Sequence, residues 1–151
     1  MLASAPTAAQ SNRHFVPSPR TALVGMEVVR AFRGVEADAI NELVDAGKLR
    51  WVWDVSTGRK GRIRALRFWL NEIIAPEATR QLAPAAVVRA VLGTDRTRWR
   101  GVELAQLLLV SRPHIFKLRK SKAIGGEIVH GTLFVARPVV EKFLTQRLVN
   151  T

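Results

Sequence analysis

Two segments of the chain, about 75 residues apart, match each other in their apolar residues. The match runs at an offset of 76 residues and, after a gap of one residue, at an offset of 75. The matched pairs are Gly25/Gly101, Glu27/Glu103 and Val28/Leu104, then Val35/Val110, Ile40/Ile115, Leu43/Leu118 and Leu49/Ile124. In both segments a helical pattern is followed by a turn-rich hairpin pattern and a further helix. The chain is therefore predicted to contain two small units of shared architecture.

Composition and punctuation divide the chain into four parts. Residues 1–20 are rich in Ala, Ser, Pro and Gln and lack hydrophobic periodicity, which is typical of a disordered tail. A first unit is predicted over 21–75, a connector with one helix over 76–93, and a second unit over 94–151. The predicted helices are Val24–Phe32, Glu36–Ala46, Phe68–Ile74, Ala85–Leu92, Gly101–Leu109, Arg112–Ser121 and Pro138–Leu148. The predicted strands are Leu49–Val55, with one face buried, Arg62–Leu66, Glu127–His130 and Thr132–Ala136.

Positive charge is concentrated in the second half. The whole chain has 24 Lys and Arg against 12 Asp and Glu, a formal net charge of +12. Residues 81–151 carry twelve of the basic residues and four of the acidic ones. A field of this sign attracts a polyanion, of which nucleic acid is the commonest, although a merely basic soluble surface is the alternative. A membrane surface is less favoured, because no helix opposes a lysine-rich face to a Trp- or Leu-rich one.

Several function classes are excluded by composition. Without cysteine there is no disulfide framework, cysteine nucleophile, Cys-based zinc site or iron–sulfur cluster, and without tyrosine no phosphotyrosine-forming recombinase. His14, His114 and His130 are scattered and have no carboxylates at metal-ligand spacing. We therefore expect no metal, no cofactor and no enzymatic activity. No apolar run approaches the roughly 18 residues of a membrane span, so a soluble protein is expected. The expected location is cytoplasmic, in association with the nucleoid.

The segment Leu104–Leu118 has the spacing of a helix-turn-helix. Two helices that cross steeply need a small residue on the first, and Ala105 supplies it. Ser111 is a suitable N-cap for the second helix, and Pro113 in its first turn gives up no intrahelical hydrogen bond. The turn position usually occupied by glycine is Leu109, which is a departure from the motif. Val110 is predicted to be buried in the turn, with Ile115 and Leu118 facing the first helix.

The outer side of the second helix of this motif is the predicted DNA-reading surface. A major groove admits a helix whose N-terminal half presents hydrogen-bond donors to the base edges. We expect Arg112, His114 and Lys117 to read bases. Lys120 and Arg119 are expected on the backbone, with Arg119 near the inner edge. Ser111 and Pro113 belong to the same contact region, and Phe116 either contacts a thymine methyl or packs against the neighbouring wing or the first unit.

The second unit resembles a known family. The relevant residues are Glu103–Ala105, Val110–Leu118, Ala123–Ile124 and Ala136–Leu144, of which Val-Ser-Arg-Pro at 110–113 and Arg137-Pro138 are the most specific. Together with the hairpin they resemble the excisionase-type (MerR-like) winged helix-turn-helix, over residues 101–148. The resemblance implies a bacterial or phage DNA-binding module, as in recombination directionality factors, transcription regulators and autorepressing antitoxins. The predicted fold class is accordingly α+β, as tandem winged helix-turn-helix units.

Basic side chains outside this helix are predicted to reinforce DNA binding. The first hairpin carries Arg59, Lys60, Arg62 and Arg64, and arginines in a wing suit the negative potential of a narrow minor groove. Arg96, Arg98 and Arg100 lead into the helix-turn-helix and are expected to contact phosphates. The tryptophans at 51, 53 and 69 are spaced like core residues, and the two units are expected to share an interface through them.

The helix Glu36–Ala46, which matches the DNA-reading helix in the repeat, carries Glu36, Asp38, Glu42 and Asp45. Phosphate would repel these carboxylates, so the helix is predicted not to enter a groove. It faces either solvent or a protein partner, as an antitoxin would require.

Double-stranded DNA is the expected partner of the whole chain, with a second copy of the chain or a basic protein as further possibilities. RNA is less favoured, because no exposed aromatic platform is evident.

Overall fold

A computed structural model of the chain describes residues 22–57 and 63–150. The first unit contains β1 (Leu23–Val24), α1 (Met26–Arg33), α2 (Ala37–Asp45), β2 (Val52–Asp54), β3 (Leu66–Trp69) and α3 (Leu70–Ile74). The connector contains α4 (Pro76–Thr79) and α5 (Pro84–Leu92). The second unit contains β4 (Arg98–Arg100), α6 (Gly101–Leu108), α7 (Arg112–Lys120), β5 (Glu127–Val129), β6 (Thr132–Ala136) and α8 (Arg137–Gln146).

Both units follow the same element order, β-α-α-β-β-α. Each has an antiparallel three-stranded sheet, with strand order β1-β3-β2 in the first unit and β4-β6-β5 in the second. The predicted α+β class and the shared architecture are confirmed. Strands β1 and β4 were not predicted from the sequence, since two or three residues are too few to show an alternating pattern. The predicted helix Val24–Phe32 begins instead at Met26, because Val24 pairs with Phe68 in the sheet.

The predicted half-buried strand Leu49–Val55 is wrong in its burial. Val52 as well as Trp51, Trp53 and Val55 is fully buried. Val52 belongs to a cluster internal to the first unit, together with Ile40. The two tryptophans belong to a cluster that continues through α5 into the core of the second unit. The strand is thus covered on both faces, and the predicted interface through the tryptophans is confirmed.

The end of the chain returns to the first unit, although residues 94–151 were predicted as part of the second. The Asp54 amide donates to the Arg147 carbonyl and the Val149 amide to the Val52 carbonyl, each at 2.9 Å. A β-bridge joins Trp53 to Leu148 between them. The Asn150 side chain then donates to the carbonyls of Val44 and Leu49, at 2.9 and 2.8 Å. The outer edge of β2 is therefore covered by residues 147–149.

Candidate nucleic-acid interface

Helices α6 and α7 are joined by a short turn. Leu109 adopts the left-handed conformation (φ 58°, ψ 45°) that glycine usually supplies at this position. The Val110 amide closes the turn by donating to the Ala105 carbonyl at 2.9 Å. The Ser111 hydroxyl then accepts the His114 amide at 3.2 Å, and α7 begins at Arg112 with proline in its first turn. The predicted N-cap and start of α7 are confirmed.

The two sides of α7 differ in burial and charge. Ile115 and Leu118 are fully buried and belong to the core cluster that the two units share. The opposite side is exposed and consists of Arg112, Pro113, Phe116, Lys117 and Lys120. Arg119 is half-buried, and its Nε has no acceptor among the described residues, consistent with the predicted position near the inner edge. The predicted division of the helix into an inner apolar and an outer cationic face is confirmed, except at His114.

His114 does not face outward, and its prediction as a base-reading residue is corrected. Its Nε2 lies 2.6 Å from the Val55 carbonyl oxygen of the first unit, and the imidazole is half-buried. Because a carbonyl only accepts, Nε2 carries the proton and donates. The side chain is therefore used in the contact between the units. The sequence of α7 alone does not reveal this contact, which arises from the packing of β2 beside the helix.

A groove of about 240 Å³ lies between the start of α6, the outer side of α7 and the β5–β6 turn. Its lining consists of Arg100, Gly101, Val102, Arg112, Phe116, Gly131, Thr132 and Leu133. Two guanidinium groups and the first turn of a helix, where backbone amides lack intrahelical acceptors, contribute to this groove. Such a set of donors suits an anion. Phe116, 37 % exposed, borders the hairpin here and is also open to solvent.

The arginines that precede α6 are partly paired with Glu103. Glu103 lies 2.9 Å from Arg96 Nη1 and 3.5 Å from Arg100 Nε, and it accepts the Arg100 amide at 2.9 Å. The backbone hydrogen bond from Arg100, together with the two arginine side chains, lowers the pKa of Glu103 despite partial burial. Arg98 instead stacks over the Phe134 ring at 4.3 Å. All three arginines are exposed, but Glu103 partly offsets the charge of two of them.

The predicted wing of the first unit is only partly described. Arg59, Lys60 and Arg62 lie outside the described residues. Arg64 was predicted to anchor DNA, but it contacts α2 instead, with Nη1 3.3 Å from Asp45 and Nη2 donating to Asn41 at 3.2 Å. The Arg64 guanidinium thus contacts α2 in the structure, and its contact with DNA stays a prediction.

Carboxylates of the first unit lie at the surface of α1 and α2. Arg30 lies 3.3 Å from Glu27 and 3.2 Å from Glu36. Asp38 and Glu42 are exposed, and among the described residues neither forms an ion pair. The outer side of α2 therefore has the sign of charge opposite to that of α7, as the sequence predicts.

Arg67 is the residue near this surface that the sequence did not single out. From β3 of the first unit its Nε donates to the Leu108 carbonyl and its Nη2 to the Leu109 carbonyl, both at 2.8 Å. Partial burial lowers its pKa. The sequence does contain a feature that could have indicated this role. Arg67 lies between the apolar residues Leu66 and Phe68, and a charged side chain in such a strand needs hydrogen-bond acceptors when it is partly buried.

Within residues 22–57 and 63–150, no three His, Asp or Glu side chains come together as metal ligands. The helices of these same ranges are too short or too polar for a bilayer span. Comparisons with models of protein families, with curated proteins and with solved structures find no match to this chain.

Proposed function

We propose that the chain is a sequence-specific double-stranded DNA-binding protein with two tandem winged helix-turn-helix units, in which α7 enters the major groove. The observation that carries the proposal is the outer side of α7. Arg112, Lys117 and Lys120 are exposed there, α7 contains no acidic residue, and its inner side is closed by fully buried apolar residues. Cationic donors on one exposed side of a rigid helix suit base edges and the flanking phosphates.

The groove beside α7 is the proposed place for one backbone phosphate. Arg100 and Arg112 border it together with Gly101 and Val102 at the start of α6, and the N-terminus of a helix favours an anion. Lys117 and Lys120 lie further along α7, where we place the base and backbone contacts. The β5–β6 hairpin closes the other side of the groove and acts as the wing. Its tip, His130-Gly131, carries little charge and makes the lesser contacts.

The proposed role is that of a transcription regulator or a recombination directionality factor of the excisionase type. This part rests on the resemblance of residues 101–148 alone. A second candidate is an antitoxin-like autorepressor that binds a basic protein. The exposed carboxylates of Asp38 and Glu42 on α2 favour it, because they are available to a cationic surface. A partner that copurifies in stoichiometric amount would distinguish this second role from the first.

The experiment that tests the proposal is selection of bound duplexes from a random pool, followed by footprinting. We expect an enriched sequence motif and a protected site, and the spacing of protected segments reports monomer, array or dimer. K117A/K120A serves as the matched variant, since both side chains are exposed and the fold does not depend on them. Failure to retain any duplex at modest ionic strength, or equal retention by the wild type and K117A/K120A, contradicts the proposal.

A further inference from the structure

The turn between α6 and α7 has two features that are unfavourable in free energy. Leu109 has a left-handed backbone (φ 58°), a conformation in which the Cβ of an L-residue is crowded. At the same point α6 ends, so its last carbonyls lack intrahelical donors. Glycine would relieve the crowding, but this chain has leucine, 42 % exposed, at the position. Within the second unit the Val110 amide closes the turn by donating to the Ala105 carbonyl at 2.9 Å, which leaves the carbonyls of Leu108 and Leu109 available to donors from elsewhere.

The first unit supplies the missing interactions through Arg67. The Nε and Nη2 atoms of its guanidinium donate to the carbonyls of Leu108 and Leu109, both at 2.8 Å. The third nitrogen, Nη1, donates to the carbonyl of Leu66 at 2.9 Å, which fixes the group against its own strand. Arg67 is itself held in register, since it pairs with Trp53 in the sheet. A planar, rigid fork of donors thus binds two successive carbonyls at the end of α6.

A second contact holds the other side of the turn. Arg67 contacts the end of α6 and the turn. In the first turn of α7, the Val55 carbonyl accepts a hydrogen bond from His114 Nε2 at 2.6 Å. Both contacts come from the β2–β3 region of the first unit, whose tryptophans are packed in the shared core. The end of α6 and the start of α7 are therefore both held by hydrogen bonds to the β2–β3 region of the first unit.

We infer that the first unit is a positioning module for α7, and that Arg67 is the positioning residue that sets the turn and hence the orientation of the cationic face. The consequence for DNA rests on the proposed function, whereas the consequence for the turn does not. Arg67 donates to protein carbonyls through all three guanidinium nitrogens, so its effect on DNA binding passes through α7. In this arrangement the acidic helix α2 has no need to enter a groove, because the first unit contributes through its sheet.

The test compares R67A and R67K with the control R80A in the full-length chain. Arg80 is an exposed arginine of the connector that pairs with Glu77. Backbone amide NMR signals of residues 109–115 are expected to shift and broaden in R67A, to shift less in R67K, and to stay unchanged in R80A. L109G should reduce the effect of R67A, since glycine takes the left-handed conformation without the crowding. The inference is overturned if the amide signals are unchanged in R67A. It is also overturned if the change in Tm of the double variant L109G/R67A equals the sum of the changes in the two single variants.

DNA binding provides the second readout, with the duplex selected by the wild-type chain and an unselected duplex of equal length. R67A is expected to weaken the selected duplex on the order of tenfold and the unselected one less. The dependence of affinity on salt should keep its slope, because no phosphate contact is lost. A slope reduced by about one phosphate, with equal weakening of both duplexes, makes Arg67 a DNA contact and overturns the inference. If the wild type retains no duplex, the proposed function fails, and the amide signals still decide the role of Arg67.

Discussion

Helices α2 and α7 occupy the same place in two units of the same topology, yet they present opposite charge. Helix α2 contains Asp38, Glu42 and Asp45 without a basic residue, whereas α7 contains Arg112, Lys117, Arg119 and Lys120 without an acidic one. Their inner sides agree, since Ile40 of α2 and Ile115 of α7 are both fully buried. The fold thus depends on the buried positions, and the exposed ones are free to differ in function.

The two sheets differ in a related way. The outer edge of β2 is covered by residues 147–149 of the same chain, and Val52 and Trp53 are buried on its opposite faces. Each residue of strand β5, its counterpart, is exposed, and the strand pairs only with β6 among the described strands. Strands buried on both faces belong to the interior of a protein, while an open hairpin can reach a ligand. The β2 edge of the first unit is accordingly closed, whereas the β5–β6 hairpin of the second unit keeps exposed surface.

Among the variants considered, Trp53→Ala should destabilise the fold most, because Trp53 lies in the core cluster that joins the two units. The side chain is fully buried in the cluster shared by the units, so its loss is expected to lower the free energy of unfolding by about 3–5 kcal/mol. Both units should unfold in one transition, since the cluster extends through both. Urea denaturation followed by circular dichroism and by fluorescence of the remaining tryptophans measures this.

F68A is the matched control, because Phe68 is equally buried but belongs to the cluster of the first unit alone. Its loss should cost a similar amount, and the shared transition should persist. Separate transitions of the two units in the wild-type chain would contradict the single cooperative core.

Charge reversal on α7 tests the difference between the two helices directly. K117E/K120E should weaken binding of the selected duplex by on the order of a hundredfold or more, since two cations are lost and two anions repel phosphate. D38K/E42K, the same number of reversals on α2, should leave binding unchanged or slightly stronger. Fluorescence anisotropy at several salt concentrations measures both. A marked gain in affinity for D38K/E42K would show that α2 also lies against DNA, and comparable losses in the two variants would show that the charge of α7 does not account for binding.

Local sequence was sufficient for the parts of the molecule that local interactions determine. Helix α7 could be predicted from its cap at Ser111, Pro113 and the inward spacing of Ile115 and Leu118. The short strands β1 and β4 could not, because they form only by pairing with residues more than 30 positions away. The contacts of His114 with Val55 and of Arg64 with Asp45 were not predicted, because these partners lie in elements whose packing no local pattern encodes.

Asn150→Ala addresses the covered edge of β2. The side-chain Nδ2 of Asn150 donates to the carbonyls of Val44 and Leu49. Removal of this side chain therefore leaves two partly buried acceptors without these donors. We expect a loss of about 1–2 kcal/mol in the free energy of unfolding. Amide hydrogen exchange should also become faster at Asp54 and Val149, which pair the chain end with β2. Q146A, which removes an exposed amide near the end of α8, should change neither quantity.

Glu103→Gln is expected to have the smallest effect, but one with a defined dependence on pH. Hydrogen bonds from Arg100 and Arg96 lower the pKa of Glu103 in the folded chain below its unfolded value of about 4.3. A lowered folded pKa means that the ionised carboxylate adds stability above the unfolded pKa and loses it as pH falls through the folded pKa. The Tm of E103Q should therefore lie below that of the wild type at pH 7, and the difference should close in acid.

The substitution E103Q, which lowers the stability of the chain, should strengthen its binding to DNA. Without the carboxylate, Arg96 and Arg100 are no longer partly neutralised, so E103Q should bind unselected duplexes somewhat more tightly than the wild type and with a steeper salt dependence. E27Q is the control from the first unit, where Glu27 contacts Arg30 at the surface and little change in either measurement is expected. A Tm difference for E103Q that persists unchanged at pH 3 would mean that the carboxylate stabilises the chain by its shape and hydrogen bonding, not by its charge. Weaker DNA binding by E103Q would mean that Glu103 orients the two arginines toward phosphate instead of competing for them.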